Sequence, residues 1–264
     1  NDKLLEKKFF VKLSEFGASE DETGKPTFSE RPTSSHTAFD WFKFPIPAIV
    51  IPSHARREIP IEIEVPENAE SGGYYQAIIL SEEDPILREK GPTVGVTQEI
   101  GTLVLIKVPG LIREAGTLKE VFPERFIFWS QPIKIFTRFE NTGNIHIKPT
   151  WLIEIYNMFV QKEEVAQINS TFNNVLPGTV RKFENNWSPA KLLFVLPAIG
   201  RYKVVSLVSY GLPSVTSKAE PFYFWLIPIR FILVVLGVIV IISLILYTLL
   251  KLYKRHVISQ YHRR

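Results

Sequence analysis

The sequence predicts a mainly β chain in which two immunoglobulin-like β-sandwich domains are followed by a single C-terminal transmembrane α-helix. Apolar stretches recur about every eight to twelve residues between glycine and proline turns, a spacing typical of sandwiches and barrels. Roughly the first 225 residues contain no convincing amphipathic helix. One long apolar stretch near the C-terminus is free of charge. These three observations together predict the fold class.

The first predicted domain covers residues 1–108. In residues 59–65, isoleucine and valine alternate with proline and glutamate, which predicts a strand with one buried face because successive side chains of a strand point to opposite sides. Further strands are predicted at residues 74–80 and 102–108. Residues 14–40 are polar and rich in turn formers, so we expect a long surface loop there.

The second predicted domain covers residues 109–226. Pro177 and Gly178 are typical of the central pair of a type II turn, because proline presets the first position and glycine tolerates the positive φ of the second. The Asn-Thr-Gly-Asn stretch at residues 141–144 predicts another turn. Strands are predicted at residues 111–118, 126–129, 132–140, 145–156, 180–183, 200–210 and 222–226.

Residues 227–252 are predicted to form the transmembrane helix. Its uncharged stretch begins at Phe231 and ends at Leu250. At about 1.5 Å per residue, a helix of this length covers the roughly 30 Å hydrocarbon core of a bilayer. A buried helix of a soluble core is the alternative, but such a helix normally shows a polar stripe. The lipid bilayer is therefore a predicted partner.

The charges on either side of this stretch predict its orientation. Arg230 is the charged residue immediately before it, and residues 253–264 form a predicted basic cytoplasmic tail. Because basic residues collect on the cytoplasmic side of a span, we expect a single-pass protein of the cell membrane with extracellular N-terminal domains. The basic residues that follow the span are Lys251, Lys254, Arg255, Arg263 and Arg264.

The net charge of +4 belongs to this anchor. Without Arg230 and the five basic residues after the span, 25 Lys and Arg remain against 27 Asp and Glu, so the outer part carries about −2. A nucleic-acid partner is therefore not expected. Outward placement also requires an export signal, which we expect in a longer natural precursor before Asn1.

The sequence offers no recognisable catalytic constellation. The absence of cysteine excludes disulfide scaffolds, cysteine-ligated metal sites and cysteine enzymes. No zinc-protease, nucleophile-elbow or phosphate-loop motif occurs. We expect no enzyme, catalytic residue, cofactor or metal. His146, between two isoleucines, is interpreted as a solvent-facing strand residue.

Other polar residues are weaker candidates for functional sites. The acidic residues 20–22 lack the glycine-centred spacing of a calcium loop. Carboxylates are numerous, for example at residues 82–84 and 163–164, and a pair from distant strands could serve a glycan-processing enzyme. Acidic stretches on loops, however, are usually just solvated. Sequons occur at Asn169 and Asn186, and they would mean nothing if the protein were bacterial.

Aromatic residues are the best hint of binding, since they stack on sugars or fill a partner's pocket. For each one we favour a place in the core. Ligand-binding residues are therefore left unassigned. The aromatic candidates are Phe39, Trp41, Phe42, Phe44, Trp129, Trp151 and Trp187.

Several stretches resemble one bacterial family. FENTGNIHIKP at 139–149, NNVLPGTVR at 173–181, GRYKVVSLVSYG at 200–211 and FYFWLIP at 222–228 precede the apolar stretch. In this order they are similar to the second half of WxL-interacting cell-surface proteins. In the first half, the stretch EIPIEIEVPENAESGGYYQAII after AFDWF is similar to the same family's first domain.

The resemblance implies a Gram-positive-type envelope protein with a signal peptide, two immunoglobulin-like domains, one span and a short basic tail. It implies peptidoglycan as partner of the first domain, and WxL-type surface proteins or host ligands as partners of the second. It also implies that the earliest strand of the first domain lies before Asn1.

The sequence therefore predicts a non-enzymatic, membrane-anchored bacterial cell-surface protein. Its extracellular domains are expected to bind cell-wall polymer or another envelope protein. The alternative is an accessory subunit of a membrane-embedded complex with a structural or assembly role, in which the span packs against other helices. Gly237 and Ser243 are small residues, but they lack the four-residue spacing of a close-approach motif.

Overall fold

The protein is mainly β, with one long apolar α-helix at its C-terminal end, and this confirms the predicted fold class. The architecture comes from a computed structural model. It describes residues 5–33, 36–44, 47–82, 99–168, 173–189, 198–211 and 214–261, with the backbone alone for residues 163–168 and 254–261.

The first half of the chain contains seven strands within the described residues and a short 3-10 helix at Phe39–Trp41. Strands β1, β2, β4, β6 and β7 form an antiparallel sheet in the order β2-β1-β6-β7, and β4 also pairs with β1. Strands β3 and β5 form a separate two-stranded sheet. The strands are β1 (Lys7–Ala18), β2 (Pro26–Ser29), β3 (Phe42–Lys43), β4 (Ala48–Ile51), β5 (Glu62–Ile63), β6 (Gly72–Ser81) and β7 (Glu99–Val108).

The core of this half lies between one face of the five-stranded sheet and the 3-10 helix with β3. Trp41 and Tyr74 are buried there with their ring centroids 4.3 Å apart, and Val108 is buried in the same cluster. The other face of the sheet carries Phe16 and Ala77, which are also buried. Both faces of the sheet are therefore covered near its middle.

Two predictions for this half were wrong. Residues 14–40 contain the end of β1 and all of β2, because polar groups there are satisfied within a hairpin: the fully buried Ser14 hydroxyl donates to the carbonyl of Ser29 at 2.9 Å. Of the predicted strand at 59–65, only the two residues of β5 form a strand, since the partner strand β3 also has only two residues. Val65, expected in the core, is 46% exposed.

The second half is a β-sandwich. A three-stranded sheet in the order β13-β10-β8 faces a six-stranded sheet in the order β12-β11-β14-β16-β9, to which β15 adds through β14. The pairing of β16 with β9 is parallel, and the other pairs are antiparallel. The strands are β8 (Gly116–Pro123), β9 (Ile127–Phe128), β10 (Ile133–Asn141), β11 (Thr150–Tyr156), β12 (Lys162–Ile168), β13 (Val180–Trp187), β14 (Gly200–Tyr210), β15 (Val215–Lys218) and β16 (Phe222–Leu226).

Aromatic rings fill the space between the two sheets. Phe224 on β16 is fully buried, and the rings of Phe128, Trp187 and Tyr202 surround it at centroid distances of 5.6, 6.1 and 5.4 Å. Burying each such side chain stabilises the fold by about 1.5–3 kcal/mol. A chain without cysteine is held together here by packing.

The turn predicted at Pro177 and Gly178 is confirmed, and a bend at residues 143–145 follows β10 near the other predicted turn. Gly178 has φ of +67°, and the Thr179 amide donates to the Leu176 carbonyl across the turn at 3.3 Å. The predicted strand at 145–156 begins later, at the first residue of β11. Residues 145–149 instead form a loop. The Asn141 side chain donates to the Ile145 carbonyl, and Ile147 exchanges two backbone hydrogen bonds with Val175.

A single helix, α1 (Ile229–Tyr261), follows β16 after the two residues Ile227 and Pro228. Its residues from Ile229 to Tyr253 are long and apolar enough to cross a membrane, and none of this stretch is buried in the protein.

The predicted span limits, Phe231 and Leu250, fall inside this stretch. Of the predicted basic flank, Lys251 is exposed on α1 and the backbone of Lys254 and Arg255 continues the helix. Arg263 and Arg264 lie outside the described residues.

Candidate functional site

Within the described residues, the two halves of the β region contact each other at two places. At the first, the turn between β1 and β2 lies on β13 and β10, and the Lys182 amide donates to the Glu22 carbonyl at 2.7 Å. The guanidinium of Arg138 donates twice to the Glu22 carboxylate, once from Nε at 2.6 Å, and also from Nη1 to Glu120 at 2.5 Å. The hydrogen bonds and charge of Arg138 lower the pKa of Glu22. This turn is therefore fixed to the second sandwich.

At the second contact, loops of the second-half sandwich pack on the face of the five-stranded sheet that carries Phe16 and Ala77. Leu176 covers the buried side chains of Phe16 and Ala77. The Asn144 carbonyl accepts a hydrogen bond from the Gly73 amide at 2.9 Å. These contacts set the relative placement of the two halves, so a concave site between them is preformed.

A cleft of about 240 Å³ lies between the two contacts. From the first half, its wall is formed by Phe16, Leu103 and Leu105 beside the glycine-containing β1–β2 turn. From the second half, it is formed by the loop and strand at residues 173–181. The apolar side chains among these residues form the floor of the cleft, which suits a ligand that presents an apolar group.

Arg181 supplies the charge of this cleft. Its guanidinium lies 5.3 Å from the ring centroid of Phe183 and donates from Nη1 to the Asn174 carbonyl at 2.7 Å. Among the described residues no carboxylate lies within ion-pairing distance of it. Burial lowers the pKa of Arg181, but a guanidinium starts so high that it stays charged.

Gly24 lets the β1–β2 turn approach this guanidinium. Its φ is +74°, and a Cβ at this position would lie 2.2 Å from Nε of Arg181. The side-chain oxygen of Asn174 is buried in the same wall with no hydrogen-bond partner among the described residues. The cleft thus combines an unpaired cation with an apolar floor, a combination suited to an anionic group attached to an apolar segment.

A second concavity of about 270 Å³ lies near the same junction and is lined by Lys107, Glu114, His146 and Lys148. His146 is half-buried, with Nδ1 3.4 Å from the hydroxyl of Tyr75. Burial, followed by the charges of the two lysines, lowers the pKa of His146. The prediction that His146 faces solvent on a strand was therefore wrong, because the two halves meet at this residue.

Among the acidic candidates, Asp21, Glu22 and Glu82 have hydrogen-bonding or ion-pair partners. Asp21 accepts hydrogen bonds from Ser19 and Thr23, which lower its pKa to about 2. Glu82 pairs with Lys7. Residues 83–84 and the side chains of residues 163–164 lie outside the described part of the chain. In the described part of the chain no three metal-ligating side chains come together.

Most of the aromatic candidates are core residues, as we favoured. Trp41, Phe42, Trp151 and Trp187 are buried, and Phe39 and Phe44 are partly buried. Trp129 is the exception and is 48% exposed. The sequon Asn186 is exposed on β13, and Asn169 lies outside the described residues.

Sequence reasoning missed Arg181 and Leu176 as site residues. Both lie in the NNVLPGTVR stretch, which contains every residue that the second half contributes to the cleft. We interpreted this stretch as a turn and strand signature. An arginine following an apolar turn was the available signal, but its partner surface comes from a distant part of the chain.

No protein-family model matches the chain, and no curated protein matches it. Among solved structures, it is similar to the class 5 fimbriae chaperone CfaA, with a TM-score of 0.40 and 10% identity over 83% of this chain and 89% of that chain. It is also similar to dimeric latent PorU from Porphyromonas gingivalis, with a TM-score of 0.28 and 9% identity over 83% of this chain and 16% of PorU. Neither likeness bears on function at these values. Membership of the WxL-interacting family stays a prediction.

Proposed function

We propose that this chain is a non-enzymatic, membrane-anchored protein of the bacterial cell surface that binds an anionic wall polymer or another envelope protein. The observation that carries the proposal is α1. Its apolar stretch is long enough to span a bilayer and is not buried in the protein, so exposing it to water would be energetically unfavourable. Its basic C-terminal flank favours a cytoplasmic tail and extracellular β domains.

The cleft at Arg181 is the binding site in this proposal. Peptidoglycan stem peptides carry carboxylates, and so do the acidic side chains and chain ends of proteins; each would pair with the free guanidinium. The apolar floor would contact the neighbouring apolar groups. Peptidoglycan, a WxL-type surface protein and host ligands are the partners that the sequence resemblance suggests.

Binding is tested with the full chain reconstituted in lipid nanodiscs. Purified peptidoglycan and a cell-envelope extract are each pulled down with the wild type and with Arg181→Gln. We expect retention of one of the two by the wild type and its loss in the variant. Lys182→Gln is the matched control, because Lys182 is the exposed next residue of the same strand. Retention of neither material by the wild type would contradict the proposal.

The accessory-subunit alternative rests on lateral packing of α1. The Ser243 hydroxyl donates to the Ile239 carbonyl within the helix at 2.8 Å, so it is already satisfied without a neighbouring helix. Native mass measurement after mild detergent extraction separates the two ideas. A stable hetero-complex would favour the alternative, and a single chain favours the surface-binding protein.

A further inference from the structure

The hairpin between β11 and β12 ends in three consecutive apolar residues. Met158, Phe159 and Val160 are 50%, 72% and 78% exposed. Tight turns usually carry glycine, asparagine or aspartate, because these residues tolerate water and unusual backbone angles. Val160 has φ of +61°, which a β-branched residue rarely adopts. Apolar side chains are displayed here at the expense of local stability.

The turn is nevertheless well ordered by hydrogen bonds. The side-chain oxygen of Asn157 accepts from the amides of Phe159 and Gln161 at 2.9 and 3.0 Å. The Val160 amide donates to the Asn157 carbonyl at 3.0 Å. The three apolar side chains therefore project from a defined turn.

This turn lies at the end of the sheet from which α1 emerges. A Cβ on Gly200 would lie 2.7 Å from Cε of Met158, so the two residues are in contact. Gly200 pairs with Leu226 on β16, and α1 begins three residues after Leu226. The turn at residues 158–160 therefore lies at about the same level as the start of α1.

Other exposed apolar residues lie at the same end. The Ile227 amide donates to the Phe128 carbonyl at 2.8 Å, which places the exposed Trp129 beside the link to α1. Ile199 is exposed and directly precedes Gly200. Phe126 is 67% exposed, and its carbonyl accepts from the Trp225 amide of β16 near the same end. We call Phe126, Trp129, Ile199 and residues 158–160 the basal patch.

Distances favour contact of the basal patch with lipid. With Phe231 at the edge of the hydrocarbon, three extended steps of about 3.3 Å and two helical steps of about 1.5 Å place Leu226 at most about 13 Å from that edge. Trp129 follows Phe128, the parallel partner of Leu226, and so lies nearer to that edge. The polar region on each side of a bilayer is about 5–7 Å thick. Tryptophan is enriched at this level, and Arg201, stacked 4.0 Å from the Tyr223 ring centroid, is a cation suited to lipid phosphates.

We propose that the basal patch inserts into the interfacial region of the bilayer that α1 spans, as a second membrane contact that restrains the tilt of the β domains. The inference rests on the proposed anchoring by α1. The bilayer is the occupant because the patch is continuous with the helix through a link of only two residues. Binding of a partner protein to the patch is the competing outcome.

The absence of cysteine allows a direct test in the full chain. Single cysteines are introduced by Phe159→Cys in the patch, by Ile241→Cys in the middle of α1 and by Leu111→Cys, which is 90% exposed. Leu111 is a matched control, since its amide bonds to Ser71 at the far end of the sandwich. Each variant carries an NBD label and is reconstituted into vesicles of phosphatidylglycerol and phosphatidylethanolamine.

We expect the label at 159 to be quenched by a spin label on the lipid headgroup and to show a several-fold lower quenching constant with aqueous iodide than the label at 111. The label at 241 should be quenched by a spin label deep in the acyl chain. A water-exposed label at 159 with a lipid-buried label at 241 overturns the basal contact but leaves the anchor intact. Protection from iodide at 159 without quenching by lipid indicates a protein contact and also overturns it. A water-exposed label at 241 overturns anchoring and the basal contact together.

Discussion

Asn141 is expected to be the most sensitive polar residue of the second sandwich. Its fully buried side chain donates to the carbonyls of Ile145 and Val175 at 2.7 and 2.8 Å, and accepts from the Gly143 amide at 2.9 Å. Each such bond contributes about 0.5–1.5 kcal/mol net. Asn141→Ala should therefore lower the free energy of unfolding by about 3 kcal/mol.

The measurement is urea unfolding of the full chain in detergent micelles, followed by tryptophan fluorescence. With a slope near 2 kcal/mol per M, the midpoint should fall by about 1.5 M. Asn186→Ala is the control, because Asn186 is exposed on β13, and it should stay within about 0.5 kcal/mol of the wild type.

Asn141→Asp tests the donor role separately. The carboxylate keeps the acceptor for Gly143 but faces two carbonyl oxygens, so the folded state should raise the pKa of the new aspartate. Its unfolded form then loses its proton first as the pH rises, and the variant should become less stable from pH 4 upward. Equal midpoints for Asn141→Ala and the control, or an Asn141→Asp variant with no added pH dependence, would refute this reasoning.

Three further outcomes are expected. Gly24→Ala should destabilise the chain more than Gly178→Ala in the same urea assay, because both have positive φ but only the first Cβ would collide with Arg181; equal losses would count against the close approach. His146 has a lowered pKa, so the unfolded state takes up its proton first as the pH falls below about 6.5 and stability declines there; thermal midpoints between pH 7.5 and 5 should fall less steeply in His146→Gln, and parallel profiles would exclude this role. Phe224→Ala should cost about 3–5 kcal/mol, and a loss below 1 kcal/mol would show that the sandwich repacks around the cavity.

The sequence predicted elements that are bounded by local signals. The span was located to within a few residues because the bilayer demands a fixed length of uncharged helix. Strand β14 was predicted with its observed ends, since a glycine precedes its apolar stretch and another follows it. The positive φ of Gly178 followed from a two-residue signal.

The parts that failed depend on contacts distant in sequence. The end of β1 reads as polar loop, yet residues such as Ser14 pair with β6 far along the chain and bury their hydroxyls in a hairpin. The charge of the cleft arises where Arg181 meets the turn at Gly24. The basal patch was not predicted because β12 and its link to β11 were not recognised as a hairpin.

The two-residue link between β16 and α1 also fixes how far the second sandwich extends from the start of α1. Strand β14 runs from Gly200, beside the helix, to Tyr210, whose hydroxyl bonds to the Gly116 carbonyl at 2.6 Å near the junction of the two halves. Eleven extended residues measure about 35 Å. If α1 spans a bilayer as we propose, the second sandwich is a spacer of fixed length that holds the Arg181 cleft at a set distance from the membrane surface.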